Sequence, residues 1–241
     1  MKLKILAVVL LMIISTTVFA SAENVDTFVC GNYYYTLAED GSAVITMGFI
    51  FEKTLTLPSE LDGHPVTGIG DDSFCCMIMP TKITIPDGVK TIGKWAFFEC
   101  TNLKEIIIPS SVISIDGCAF VECTSLKEII IPDSVTSIGD GAFESCTSLT
   151  KIRIPGSVTS INLFTFRYCT SLKEVIIEDG VTSIGYKVFE GCPKLKKITI
   201  PESVTSIDDD AFFGCTGLTI TVTKGSYAEQ YCIKNKLKYQ Y

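Results

Sequence analysis

Eleven cysteines and one histidine are the residues of this 241-residue chain that most invite a chemical reading. Six of them, Cys100, Cys123, Cys146, Cys169, Cys192 and Cys215, recur every 23 residues. That regularity predicts a column of small buried side chains whose weak S–H donors face the backbone of the next turn. Disulfides along the column are the alternative, but consecutive pairing would distort a regular stack. Cys30, Cys75, Cys76, Cys118 and Cys232 fall outside it, and an odd total leaves at least one thiol unpaired. A cysteine nucleophile needs a base, and His64 sits in a lead-in turn, Leu61-Asp62-Gly63-His64-Pro65-Val66. No Cys-x-x-Cys pair or second histidine supplies a zinc ligand set. Asp208-Asp209-Asp210 falls in a variable turn and reads as a solvated acidic loop rather than a calcium site. Neither a phosphate-binding glycine motif nor Gly-x-Ser-x-Gly is present, so no catalytic residue, metal or cofactor is expected.

The elements that hold these cysteines are copies of one unit. Blocks of 23 residues begin at Ile85, Ile108, Ile131, Ile154, Ile177 and Ile200, each opening Ile-Pro or its variant. A degenerate, longer copy starts at Leu57-Pro58 and keeps Val66, Ile69 and Phe74. Besides cysteine, four columns are nearly fixed; Val135, Ile138, Phe143 and Leu149 represent them in one copy. Ile129 and Ile131 alternate along a short strand, and Pro132 ends it because proline cannot donate the next ladder bond. Val135 and Ile138 point back inward, and Ala142-Phe143 place an aromatic plug on a short helical or 3₁₀ turn. One such coil cannot bury its apolar columns alone, whereas stacked coils about 4.8 Å apart lay each column on itself.

The pattern L-x-x-I-x-I-P-x-x-V-x-x-I-G-x-x-A-F-x-x-C resembles the BspA-like leucine-rich repeat, the 23-residue class, over roughly residues 28–241. The resemblance implies an α/β repeat solenoid: a leucine-rich-repeat stack with a parallel β-sheet on its concave face. Residues 57–222 would form the solenoid and residues 23–56 an N-terminal cap, whose hairpin turns at Asp40-Gly41. Residues 223–241 would form a helix-strand cap, opened by a capping box of Ser226 and Glu229.

Strand alternation identifies the outward residues of that sheet. One column is Thr84, Ile107, Ile130, Arg153, Ile176 and Thr199; the other is Lys82, Glu105, Glu128, Lys151, Glu174 and Lys197. The expected ligand-binding residues are Glu105, Ile107, Glu128, Ile130, Lys151, Arg153, Glu174 and Ile176. Three outward isoleucines beside mixed charge read as an apolar strip with a polar rim, or as the ordinary strand preference of β-branched residues. A second candidate is the variable turn carrying Trp95, Phe164 and Tyr186.

A basic start (Lys2, Lys4), the apolar run Ile5–Ile14 and the triplet Ala20-Ser21-Ala22 predict a signal peptide over residues 1–22. The run is shorter than the ~20 residues a membrane span needs. A chain beginning at Glu23 has 18 basic and 27 acidic residues, net -9. That balance argues against nucleic acid or an anionic membrane as the partner. The expectation is a secreted or cell-surface, non-enzymatic scaffold that recognises an extracellular protein or glycan, as the family resemblance implies. The competing reading is a structural surface protein that associates with itself.

Overall fold

The computed structural model describes residues 26–241. The predicted leader, residues 1–22, lies outside the described residues. The chain winds into coils stacked along one axis, most of them contributing two strands and a turn. Three antiparallel-paired strands open it: β1 (Phe28–Cys30), β2 (Tyr33–Leu37) and β3 (Ala43–Gly48). Gly41, at φ +78°, makes the tight return between β2 and β3, and His64 Nδ1 lies 2.8 Å from its carbonyl. From β3 onward every coil-to-coil pairing is parallel. β3 pairs with His64–Ile69, then Thr91–Ile92, Ser114–Ile115 and Ser137–Ile138 follow. Ser160–Ile161, Ser183–Ile184 and Ser206–Ile207 continue that wall as a separate ladder.

The break between the two ladders has a local cause. Backbone N–H groups of Gly93, Gly139 and Gly185 bond the isoleucine carbonyl of the preceding coil. At the equivalent position Asn162 makes that bond with its side-chain amide instead, to Ile138 O at 2.7 Å.

The second wall carries the outward columns. Thr54–Thr56, Lys82–Thr84 and Glu105–Ile107 form one parallel ladder. Lys151–Ile154, Glu174–Ile177, Lys197–Thr199, Thr219–Thr221 and Tyr239–Gln240 form the next.

The third wall keeps the i+3 turns of the helical or 3₁₀ turn expected at Ala142-Phe143 but does not continue them as a helix. Every second N–H leaves the turn for the next coil, as in Phe97 N–H to Ala119 O (2.8 Å) and Phe143 N–H to Thr165 O (2.9 Å). The intervening groups close i+3 turns, such as Cys100 N–H to Phe97 O at 3.2 Å. Left-handed residues recur here, including Glu99 (φ +54°), Glu122 (+59°), Ser145 (+58°) and Tyr168 (+58°). An α-helix needs right-handed φ throughout and keeps its N–H groups to itself; this wall does neither, and so becomes a third hydrogen-bond ladder.

Inside, the phenylalanine column forms a near-parallel stack from Phe74 to Phe212, with centroids 5.3–5.7 Å apart. Gly48 abuts the first ring so closely that a Cβ would lie 2.4 Å from Phe74 Cε1. Tyr231, on helix α1 (Tyr227–Lys234), covers the last ring at 6.2 Å. Ser226 caps α1 by accepting from Glu229 N–H, and the Glu229 carboxylate accepts from Gly225 N–H, one residue earlier than a standard capping box.

Each column cysteine donates to a phenylalanine carbonyl of the preceding coil, from Cys100 Sγ to Phe74 O (3.2 Å) through Cys215 Sγ to Phe189 O (3.1 Å). The contact is the one expected, made backward along the stack rather than forward. Burial pushes the Cys100, Cys146 and Cys215 thiols up to about 12. Among the described residues all eleven cysteines are free thiols.

Candidate functional site

The outward columns are where the alternation predicts. Ile83, Ile85, Ile106, Ile108, Ile129, Ile152, Ile154, Val175, Ile177 and Ile198 point into the core. Between them Glu105, Ile107, Glu128, Ile130, Lys151 and Glu174 are exposed, and Arg153 and Ile176 are half-buried. In register across the ladder, Lys151 lies beside Glu174, Arg153 beside Ile176, and Ile176 beside Thr199. All eight predicted residues therefore share one wall, arranged as adjacent rows.

Charge is paired along this wall. Lys82 meets Glu105 at 2.8 Å and Lys151 meets Glu174 at 3.2 Å. Arg153 is held by Asp133 (2.7 Å) and by both oxygens of Glu178 (2.6 and 2.7 Å). Its guanidinium is thus drawn toward the edge of the sheet, and its pKa is raised by hydrogen bonds to Asp133 and Glu178. Exposed pairs of this kind hold side-chain positions more than they stabilise the fold.

The wall is interrupted in the middle. Residues 128–131 run alongside their neighbours without ladder bonds among the described residues, so the outward rows are carried by two sheets. Glu105 and Glu128, on one side of the seam, are the only like-charged neighbours in their column. Ile130, at the seam, is 79% exposed against 42% for Ile107. An aliphatic side chain left that open cannot owe its type to burial in the core. It projects as an apolar knob between the less exposed Ile107 and the guanidinium of Arg153.

Toward the C-terminal end the same wall is dished. A depression of about 360 Å³ lies over Ile176, Thr199 and Thr221, edged by Lys173, Lys196 and Lys197. Lys173, Lys196 and Thr221 were missed by strand alternation because the two lysines precede their strands and Thr221 follows the last full repeat. A lysine repeated just before the strand, as at Lys173 and Lys196, was the available signal.

The aromatic turn does not gather into one site. Trp95 stands alone, 46% exposed. Phe164 and Tyr186 meet edge-on at 5.5 Å. The Arg167 guanidinium lies over Phe164 (4.8 Å) and Tyr168 (4.4 Å). Glu190, nearly buried, accepts from Arg167 and Lys187. Burial alone would raise its pKa, but the bonds from Lys187 and Arg167 win and lower it. Every polar group of this cluster is spent within it, which suits packing between coils.

Asp209 is likewise engaged, receiving Lys234 Nζ at 2.9 Å on both oxygens. No group of three or more metal-ligating His, Cys, Asp or Glu side chains occurs among the described residues. Nor is any helix among them long and apolar enough to cross a membrane.

Comparison with known proteins bears on this geometry. The family model described as BspA type leucine-rich repeat region matches in six copies, over residues 53–109, 67–162 and 96–219. The crystal structure of a T. pallidum leucine-rich-repeat protein aligns with 28% identity and a TM-score of 0.76, covering 89% of this chain and 98% of that one. A leucine-rich-repeat protein from Bacteroides capillosus is 32% identical over 46% of this chain and 86% of its own, at a TM-score of 0.44. A leucine-rich cell surface protein from Faecalibacterium prausnitzii is 22% identical over 90% of this chain and 99% of its own, at a TM-score of 0.41. No curated protein matches. The matched repeats span well over half the sequence, and the chain belongs to the BspA-type leucine-rich-repeat family of surface repeat proteins.

Proposed function

We propose that this protein is an exported or surface-held recognition module, without enzymatic activity, that binds an extracellular protein or glycan through its outward strand wall. The observation that carries the reading is Ile130, 79% exposed between Ile107 and the Arg153–Ile176 row. Apolar anchors surrounded by satisfied charge are the usual composition of a recognition surface. The paired carboxylates and ammonium groups are already oriented, so a ligand would pay little to order them. The family's surface habit supports the placement outside the cell.

The test is an Ile107→Thr/Ile130→Thr/Ile176→Thr variant measured beside wild type for thermal stability and for capture on a panel of matrix proteins and glycans. Unchanged stability with lost capture supports the proposal. Unchanged capture of a ligand that wild type holds removes the wall from consideration. Exposed Ile130 also suits pairing between two copies of the chain; light scattering of the same variant would then show a dimer becoming a monomer.

A further inference from the structure

We propose that the C-terminal part of the strand wall holds an anionic polysaccharide, whose carboxylate or sulfate groups are taken by Lys173, Lys196 and Lys197. The inference rests on the reading of this wall as the binding face and names the ligand for one end of it.

The depression there, about 360 Å³, has an aliphatic floor at Ile176 and hydroxyls at Thr199 and Thr221. Lys196 Nζ is fixed at the rim by donating to Thr216 O (2.8 Å) and Pro193 O (3.3 Å). An ammonium has three protons, so one remains for a ligand. Among the described residues, Lys173 and Lys197 have no carboxylate within 4.0 Å, whereas Lys82, Lys151 and Lys234 do. Glu174, which also lines the depression, is occupied by Lys151 at 3.2 Å. Two unpaired cations and one anchored cation thus surround a hydroxylic hollow.

The charge of the whole chain points to the same end. Residues 26–149 hold 6 Lys and Arg against 17 Asp and Glu, net -11; residues 150–241 hold 12 against 9, net +3. An acidic polymer is repelled by the first half and drawn to the second, with the field focused where charges are unpaired.

Glycan is favoured over acidic peptide by the state of the backbone. A peptide adds to a sheet by pairing with free edge groups, and the depression lies over Glu174–Ile177, Lys197–Thr199 and Thr219–Thr221, interior strands that are each paired on both sides. Side-chain pockets that would read a peptide's residues are likewise missing from so open a hollow. Ammonium groups, threonine hydroxyls and a small aliphatic floor match a chain that offers hydroxyls, anions and C–H faces.

The experiment uses the whole exported chain and immobilised chondroitin sulfate, polygalacturonate, dextran and poly-L-glutamate at about 0.15 M salt. Wild type should bind the first two and ignore dextran. Lys173→Gln/Lys197→Gln should weaken binding by about ten-fold or more, the equivalent of one lost charged hydrogen bond. Lys224→Gln/Lys236→Gln, with the same change in net charge, should stay within about two-fold of wild type. No binding to either acidic polysaccharide overturns the proposal. So does equal weakening in the control variant, or poly-L-glutamate binding as tightly through the same lysines.

The Ile107→Thr/Ile130→Thr variant separates this inference from the broader one. If it loses a partner while the lysine variant keeps full binding to both acidic polysaccharides, the wall is a binding face but its C-terminal end is not a polyanion site. If neither variant affects any binding that wild type shows, both proposals fall.

Discussion

Raising the pH from 8 to 10 should unfold the solenoid through its cysteine column. Cys100, Cys123, Cys146, Cys169 and Cys192 are at most 1% exposed, and each donates its S–H to a phenylalanine carbonyl. Burial raises the pKa of all five, to about 12 for Cys100 and Cys146. In the unfolded chain a thiol titrates near about 8.5. The folded state therefore keeps protons that the unfolded chain releases. The stability this supplies is complete below about pH 8.5 and drains as pH climbs toward the folded value. At pH 10 each thiol would cost the fold about 2 kcal/mol, and five together about 10 kcal/mol, which rivals a typical total of about 5–15 kcal/mol.

Urea unfolding followed by circular dichroism between pH 7.5 and 10, with reductant present, measures the slope. Wild type should lose about 7 kcal/mol per pH unit above pH 9, the sum of five thiols at about 1.4 kcal/mol each. Cys123→Ala/Cys146→Ala should be weaker at pH 7.5 yet lose stability about two-fifths less steeply. Equal slopes would mean that tyrosine or lysine titration drives the transition. A wild-type midpoint that does not move between pH 8 and 10 would refute the burial argument itself.

Phe143→Ala removes a fully buried ring from the middle of the stack and should cost about 3–5 kcal/mol in denaturant titration. Gly191→Ala should destabilise by about 1 kcal/mol or more, because φ is +70° there and the new Cβ would sit 2.4 Å from Tyr168 Cδ1. The Ile107→Thr/Ile130→Thr/Ile176→Thr variant should change stability by no more than about 0.5 kcal/mol per site, with Ile176 the most costly since it is half-buried. Deleting residues 225–241 strips Tyr231 from Phe212 and exposes the last coil; light scattering should then report aggregates, and a soluble monomer would deny that segment a capping role.

The sequence alone determined which residues face inward. Five columns at a fixed 23-residue period leave a stack as the arrangement that buries Val135, Ile138, Phe143, Cys146 and Leu149 together. Strand alternation determined that Ile107, Ile130 and their neighbours face outward, because a period of two admits no other reading once Ile129 is buried. Period says nothing about where an N–H group goes, so the third wall was legible as a turn but not as a ladder. That outcome depends on left-handed residues such as Glu122 and Ser145, which side-chain type does not announce.

Tertiary structure decided the rest, since each remaining feature depends on what lies one coil away. The seam at residues 128–131 divides the outward rows between two sheets, which neither period nor alternation announces. The thiol bonds run backward because Cys146 Sγ reaches Phe120 O of the coil before it. The lysine-rimmed hollow exists because Lys173, Lys196 and Thr221 come from successive coils. Residues more than 20 apart in the chain become neighbours there through the rise of a single coil, and only the stacked fold reveals which charges that rise leaves unpaired.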